Sequence, residues 1–119
     1  MYNITKNGII TVNRGDSFTI SLPLNVGTPF NPEYYRLGED DEVYFGLMEP
    51  NQPFEFALVR KIFTKDNQTG DVLNMSFRPE DTEKLLPGRY YYSIKIVSPE
   101  EGVDLVYTVV PNTKFNIID

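Results

Sequence analysis

The sequence predicts an all-β domain, namely an antiparallel immunoglobulin-like β-sandwich of about seven or eight strands with one short helical insert. Short segments alternate between apolar and polar side chains, as half-buried strands do. Turn residues separate these segments at regular spacing. The clearest strand follows Pro87-Gly88 and places two sets of side chains on opposite faces, Tyr90, Tyr92, Ile94 and Ile96 on one and Arg89, Tyr91, Ser93 and Lys95 on the other.

The first quarter of the chain predicts turns and an edge strand. Asn7-Gly8 predicts a turn between extended pieces at residues 2–5 and 9–12, and Arg14-Gly15-Asp16 predicts a second turn. Residues 17–24 predict a strand with its apolar side chains inward. Pro23 places this strand at a sheet edge or near its own end, because proline cannot donate to a ladder.

Residues 25–41 lack a strand pattern and predict a long connection, the kind of segment that often contacts a partner. Residues 42–48 are nearly continuously apolar and predict a central strand. It pairs in a hairpin with residues 54–63, which predict two extended pieces bent near Leu58. Helix is the competing interpretation of residues 54–63, because Phe54, Leu58 and Ile62 are spaced by four. Gly46 indicates a bulge or a close backbone approach.

In the second half, residues 66–70 predict a turn and residues 71–77 a strand with alternate apolar side chains. Residues 79–86 predict one or two helical turns, with Pro79 at the first helical position. After the strand at 90–97, a turn is predicted at 98–102 and a strand at 104–110. Pro111-Asn112 predicts a break before a last strand at 114–118.

Length and composition narrow the classes of function. A chain of 119 residues predicts a single domain, residues 1–119. The net charge of −6 argues against nucleic acid or an anionic membrane as a partner. Neither cysteine nor histidine is present, so thiolate and imidazole chemistry are excluded. No apolar run approaches a signal peptide or a membrane span, and a soluble protein is expected.

No catalytic, cofactor-binding or metal-binding residues are predicted, and no enzymatic activity. The acidic run Glu39-Asp40-Asp41-Glu42 lacks the alternating spacing and the central glycine of an EF-hand loop. A solvated loop leading into a strand is the favoured interpretation, and the sequence leaves open whether the run binds an ion. No pattern pairs two carboxylates for glycoside hydrolysis.

Three tyrosines are the candidate interface residues. Tyr34 and Tyr35 lie in the long connection, and Tyr91 faces away from Tyr90 and Tyr92. Exposed aromatic side chains are enriched at protein interfaces and can also stack on sugars. The competing interpretation is that these rings are covered within the sandwich.

Four segments resemble a family of small bacteriophage proteins: ITVNRGDSFTISL, DEVYFGLMEPNQPFEFALVRKIF, PEDTEKLLPGRYYYSIKI and VPNTKFNIID. The family comprises β-sandwich domains of tailed-phage virion proteins, such as the N-terminal domain of baseplate upper proteins and the head-fibre or tail-associated proteins of gut phages. The most recognisable matching residues are Asp81, Thr82, Leu85, Pro87, Gly88, Tyr90, Tyr92 and Ile94. The resemblance covers nearly the whole chain, and the protein is expected to lack the fibre, coiled-coil or receptor-binding extension of the larger family members.

This resemblance implies a non-enzymatic virion structural protein, assembled in the host cytoplasm as a head-fibre, baseplate or tail adaptor or decoration subunit. Its expected partners are other phage structural proteins and further copies of itself. Residues 27–41 and the terminal edge strands are the expected contact regions. Two alternatives stay open. One is a carbohydrate- or receptor-binding module for a host-surface glycan, and the other is a small regulatory protein made during infection.

Overall fold

The computed structural model describes residues 2–119, and within them the chain forms nine strands in two sheets and one short helix. The prediction of an all-β fold is therefore confirmed. The strands are β1 (Tyr2–Ile4), β2 (Ile10–Asn13), β3 (Phe18–Pro23), β4 (Glu42–Met48), β5 (Val59–Phe63), β6 (Gln68–Thr69), β7 (Val72–Phe77), β8 (Gly88–Glu100) and β9 (Val103–Ile118). The helix α1 spans Pro79–Thr82, and 3-10 turns lie at Phe54–Phe56 and Lys65–Asn67.

The two sheets are unequal. One has six strands in the order β1-β2-β9-β8-β4-β5, and the other has three in the order β3-β7-β6. The strand pairs are antiparallel except for β2 and β9, which run parallel, so the prediction of a purely antiparallel sandwich is wrong at this pair. A parallel pair needs a long crossover, and here most of the chain lies between the two strands. The immunoglobulin-like topology is not confirmed, because that sandwich is antiparallel throughout.

The core lies between the two sheets and is rich in aromatic rings. Phe77 of the small sheet stacks on Phe18 with ring centroids 4.7 Å apart and meets Phe45 of the large sheet edge-on at 4.9 Å. Tyr92 and Phe115 continue this cluster along the large sheet. The predicted inward face of β8 is confirmed, since its four members are all buried: Tyr90, Tyr92, Ile94 and Ile96.

Several predicted elements are confirmed near the N-terminus and at α1. Gly8 and Gly15 both occupy the left-handed region that turns require, and β3 with Pro23 is an edge strand. Pro79 opens α1, and the Asp81 carboxylate accepts the Arg78 backbone N–H at 2.8 Å. The Thr82 hydroxyl accepts the Gly15 N–H at 2.9 Å, which ties α1 to the second turn.

The β4–β5 hairpin is confirmed, but only part of the predicted second strand is extended. Phe54–Phe56 is a 3-10 turn, and the strand begins at Val59, so the bend near Leu58 is confirmed. The ring of Phe54 covers Gly46 so closely that a Cβ there would lie 2.4 Å from the ring. Gly46 therefore marks a close approach, as predicted. Residues 66–70 are not only a turn, since the short strand β6 lies within them.

Residues 88–118 form one long hairpin where three separate strands were predicted. A turn does lie within the predicted range 98–102, but it is shorter than predicted: strand β8 continues to Glu100, and the turn is Glu101-Gly102. Both turn residues have positive φ, 47° and 82°, as a two-residue type I′ turn requires. Pro111-Asn112 does not end β9. The register shift nearby gives β9 an extra residue, and such a bulge accommodates a proline that has no N–H to donate.

Candidate functional site

Residues 24–35, from the end of β3 into the long connection, form an ordered hairpin-like segment, called the finger below. Backbone hydrogen bonds link Val26 N to Glu33 O at 2.9 Å and Thr28 N to Asn31 O at 3.1 Å. At its end, the Thr28 hydroxyl accepts the Asn31 N–H at 3.0 Å. The finger is therefore a small hairpin whose tip, Pro29-Phe30, is held by side chains as well as by the backbone.

One asparagine fixes the middle of the finger. The Asn25 Oδ1 accepts the N–H of Gly27 at 2.9 Å and the N–H of Glu33 at 3.0 Å, so one side chain joins both arms. Asn25 also forms an isolated antiparallel bridge with Tyr34. Asparagine suits this role because its short side chain readily bonds nearby backbone groups.

The finger presents two exposed aromatic rings. Phe30 at the tip is 94% exposed and Tyr34 is 49% exposed, whereas Leu24 at the base is completely buried in the core. The structure therefore places Tyr34 on the surface, and its role at an interface stays a prediction. Phe30 was missed by sequence reasoning. The signal that would have found it is the pair Pro29 and Pro32, because two prolines on either side of Phe30-Asn31 predict a tight turn with these two residues at its tip.

A hydrogen-bonded base anchors the finger to the sandwich. The side chain of Gln68 accepts the Leu37 N–H and donates to the Tyr35 carbonyl, both at 2.9 Å. Tyr35 is half-buried, and its ring lies 5.7 Å from the ring of Tyr107 on β9. Tyr35 therefore helps to anchor the finger to the sandwich, whereas the side chain of Tyr34 is exposed to solvent.

Asp41 is the central acceptor of this base. Its buried carboxylate accepts hydrogen bonds from the Ser98 hydroxyl at 2.6 Å, the Gly38 N–H at 2.8 Å and the Tyr35 hydroxyl at 2.9 Å. Burial alone would raise the pKa of Asp41. The hydrogen bonds, led by that from Ser98, outweigh the burial and lower the pKa below its ordinary value.

The other carboxylates of the acidic run 39–42 do not converge on Asp41. Glu39 pairs with Lys65, and Glu42 accepts the Tyr44 hydroxyl at 3.0 Å. Within residues 2–119 no group of three acidic side chains is arranged to hold a metal ion. Asp41 serves the fold, and Glu39 and Glu42 each have a separate partner.

Tyr91 lies apart from the finger. It is half-buried on the outer face of the six-stranded sheet, the face turned away from the core. There it lines a cleft of about 520 Å³ together with residues from the β4–β5 connection and from β9. The structure therefore does not bring the three candidate tyrosines into one site.

The distal end of the β8–β9 hairpin adds a second exposed apolar region. Val103 and Val106 are more than half exposed, and Leu105 and Tyr107 are each 37% exposed. Tyr107 supports Tyr35, so this end of the hairpin stands beside the base of the finger.

Comparisons with known proteins do not assign the chain to a family. No family model matches it, and no curated protein matches it either. The resemblance to phage virion proteins therefore depends on the quoted sequence segments alone. No helix in the described part of the chain is long and apolar enough to cross a membrane.

Proposed function

We propose that this chain is a non-enzymatic bacteriophage structural protein that assembles with other virion proteins through the finger. The observation that carries the proposal is Phe30, a phenylalanine that is almost fully exposed on a turn closed by hydrogen bonds between Thr28 and Asn31. The resemblance of the four sequence segments supplies the virion as the setting and head fibre, baseplate or tail as the expected locations.

An exposed phenylalanine indicates an interface because its burial against a partner would contribute to the free energy of binding. Moving such a side chain from water into an apolar pocket is worth about 1.5–3 kcal/mol. The hydrogen bonds of Asn25 and Thr28 have already ordered the finger, so docking costs less conformational entropy than ordering a flexible loop. A preordered aromatic side chain of this kind is typical of an anchor at a protein interface.

The clefts favour assembly over catalysis. The cleft beside Tyr91 contains one carboxylate, that of Glu49, and a second cleft near the N-terminal turn is lined without any acidic side chain. Paired-carboxylate chemistry, as in glycoside hydrolysis, requires two carboxylates that share a cleft. An assembly role uses the finger without such a pair.

The first test is peptide mass spectrometry on density-purified phage particles, with the copy number measured against the major capsid protein. We expect a fixed copy number, and its value separates a capsid decoration from a tail or baseplate component. Absence from clean particles, despite abundance in infected cells, would overturn the proposal in favour of a regulatory protein.

The second test supplies variants of the chain in trans during infection. We expect Phe30→Ala to lower incorporation by about tenfold or more, because it removes the anchor of the interface. Phe56→Ala is the matched control, since Phe56 is also an exposed phenylalanine but lies in the 3-10 turn before β5. Thermal unfolding of both variants should match the parent chain. Normal incorporation of a Phe30→Ala, Tyr34→Ala double variant would show that the finger is not the contact.

A further inference from the structure

The cleft beside Tyr91 has two walls built from unusual backbone. It lies on the outer face of the six-stranded sheet and has a volume of about 520 Å³, within the usual range of small-molecule sites. It is called the Tyr91 cleft below. The residues that line it are Glu49, Asn51, Gln52, Pro53, Tyr91 and Asn112. Neither the finger nor the proposed assembly role accounts for it.

The first wall is a tight turn between β4 and β5. The Gln52 N–H donates to the Glu49 carbonyl at 3.2 Å, with Pro50 at the second position and Asn51 at the third. Asn51 has a φ of 66°, in the left-handed region that the third position of a type II turn requires. Two prolines, Pro50 and Pro53, restrict the backbone of this wall, so less backbone entropy is lost when a ligand binds.

The second wall is the bulge in β9. Between the pairs Tyr92–Thr113 and Ile94–Val110, two residues of β9, Pro111 and Asn112, lie opposite one residue of β8, Ser93. The Thr113 hydroxyl donates to the Pro111 carbonyl at 2.7 Å and fixes the bulge locally. Bulges of this kind redirect a side chain and are common beside binding sites.

The side chains of both walls have unused hydrogen-bonding capacity. No hydrogen bond within residues 2–119 engages the side chain of Glu49, Asn51, Gln52 or Asn112. Other amides are used internally, such as Gln68 at the base of the finger and Asn25 within it. Three amides supply donors and acceptors together, and a carboxylate supplies two strong acceptors. The remaining side of the cleft is an aromatic ring.

This combination is complementary to a neutral sugar ring. A pyranose carries hydroxyls that both donate and accept, and its C–H face packs on an aromatic ring. The only charged side chain in the lining is Glu49, so an anionic ligand is disfavoured by like-charge repulsion. Lys114 pairs across from Tyr91 in the ladder, but it does not line the cleft.

We propose that the Tyr91 cleft is a saccharide subsite that binds one neutral pyranose unit. Tyr91 stacks on the sugar, and the amides of Asn51, Gln52 and Asn112 together with the Glu49 carboxylate bind its hydroxyls. The site is independent of the finger, so its existence does not depend on the assembly role proposed above.

The test is a titration of the ¹⁵N-labelled chain followed by amide chemical shifts. The probes are the methyl glycosides of glucose, galactose, mannose and N-acetylglucosamine, each to about 50 mM, since single-sugar sites bind with dissociation constants on the order of millimolar. We expect saturable shifts confined to the amides of residues 49, 51, 52, 91 and 112 with at least one probe. The absence of saturable shifts there with all four probes would overturn the proposal.

Variants of the lining residues show whether sugar binding in the Tyr91 cleft causes the amide shifts. Tyr91→Ala should weaken binding by about tenfold, whereas Tyr91→Phe should retain most of it because the ring remains. Asn112→Ala should weaken binding severalfold, and Tyr34→Ala, on the finger, should leave it unchanged. Binding by Tyr91→Ala that equals the parent would assign the shifts to another surface and refute the site.

A charged sugar tests the role of Glu49. Glucuronic acid has the glucose ring with an added carboxylate, and we expect it to bind about threefold or more weakly than methyl glucoside. Glu49→Gln should narrow that difference, because it removes the negative charge and keeps a hydrogen-bonding group. Tighter binding of the acid by the parent chain would contradict a neutral-sugar site.

Discussion

The two faces of the six-stranded sheet differ in what they contact, although the same strands build both. The inner face of β8 consists of buried tyrosines and isoleucines packed against the small sheet. The outer face alternates with it and has Tyr91, Ser93 and Lys95, covered in part by the ring of Phe54. Adjacent tyrosines, Tyr91 and Tyr92, therefore have different surroundings.

Because of this difference, Tyr92 contributes to the stability of the fold, whereas Tyr91 is available to bind a ligand. Tyr92 is 1% exposed, and its hydroxyl donates to the Gly8 carbonyl, so all of its groups are used in the fold. Tyr91 lines an open cleft, and its hydroxyl makes no hydrogen bond with another described residue. A change at Tyr92 should alter folding, and a change at Tyr91 should alter binding.

The largest contrast is expected between the two alanine variants. Tyr92→Ala should lower the free energy of unfolding by about 3–5 kcal/mol, because it empties a site between the rings of Phe45 and Phe115. Tyr91→Ala should cost about 1 kcal/mol or less, as is usual for surface positions. Urea unfolding of both variants measures the difference. Equal costs would show that the outer face is as important for stability as the core.

The next contrast is a loss of stability at alkaline pH. Burial raises the pKa of Tyr92 to about 12, above the ordinary value near 10. The folded chain therefore keeps a proton that the unfolded chain loses. The stabilisation is complete below pH 10 and falls by about 3 kcal/mol as the pH rises from 10 to 12.

Tyr92→Phe isolates this contribution, because burial also raises the pKa of Tyr90. Unfolding free energies measured from pH 8 to pH 12 should fall less steeply for Tyr92→Phe than for the parent. At pH 8 the variant should lose only about 1 kcal/mol, the usual value of one hydrogen bond. Parallel curves over the whole range would contradict the assignment to Tyr92.

Sequence reasoning predicted the inner face well, because alternation over β8 and the apolar run of β4 are local signals of burial. It divided β9 at Pro111-Asn112, because a proline in a strand usually indicates an end. The bulge that lets β9 continue through this proline depends on how β9 pairs with β8. A local sequence pattern carries no information on that pairing. The parallel pairing of β2 with β9 has the same origin, since it joins distant segments.

The candidate sites were predicted less completely. The sequence predicts Tyr34, Tyr35 and Tyr91 as interface residues, and in the structure Tyr34 is exposed whereas Tyr35 and Tyr91 are half-buried. The support role of Tyr35 depends on Asp41, Ser98 and Gln68, which are brought together only by the tertiary fold. The Tyr91 cleft similarly combines a turn after β4 with a bulge in β9. The sequence alone indicates neither the contacts of Tyr35 nor the meeting of this turn with this bulge.

The smallest contrast concerns Gly46, where the outer face is most tightly covered. A Cβ at this position would lie 2.4 Å from Cε2 of Phe54, and the φ of Gly46 is outside the region that favours glycine, so only the space is limiting. Gly46→Ala should lower the free energy of unfolding by about 1–3 kcal/mol, the usual cost of overpacking. In a Phe54→Ala background the same change should cost nothing or stabilise the strand, because alanine is favoured over glycine there by about 0.5–1 kcal/mol. A double-mutant cycle by urea unfolding measures this coupling. An equal cost of Gly46→Ala in both backgrounds would show that the ring of Phe54 does not restrict this position.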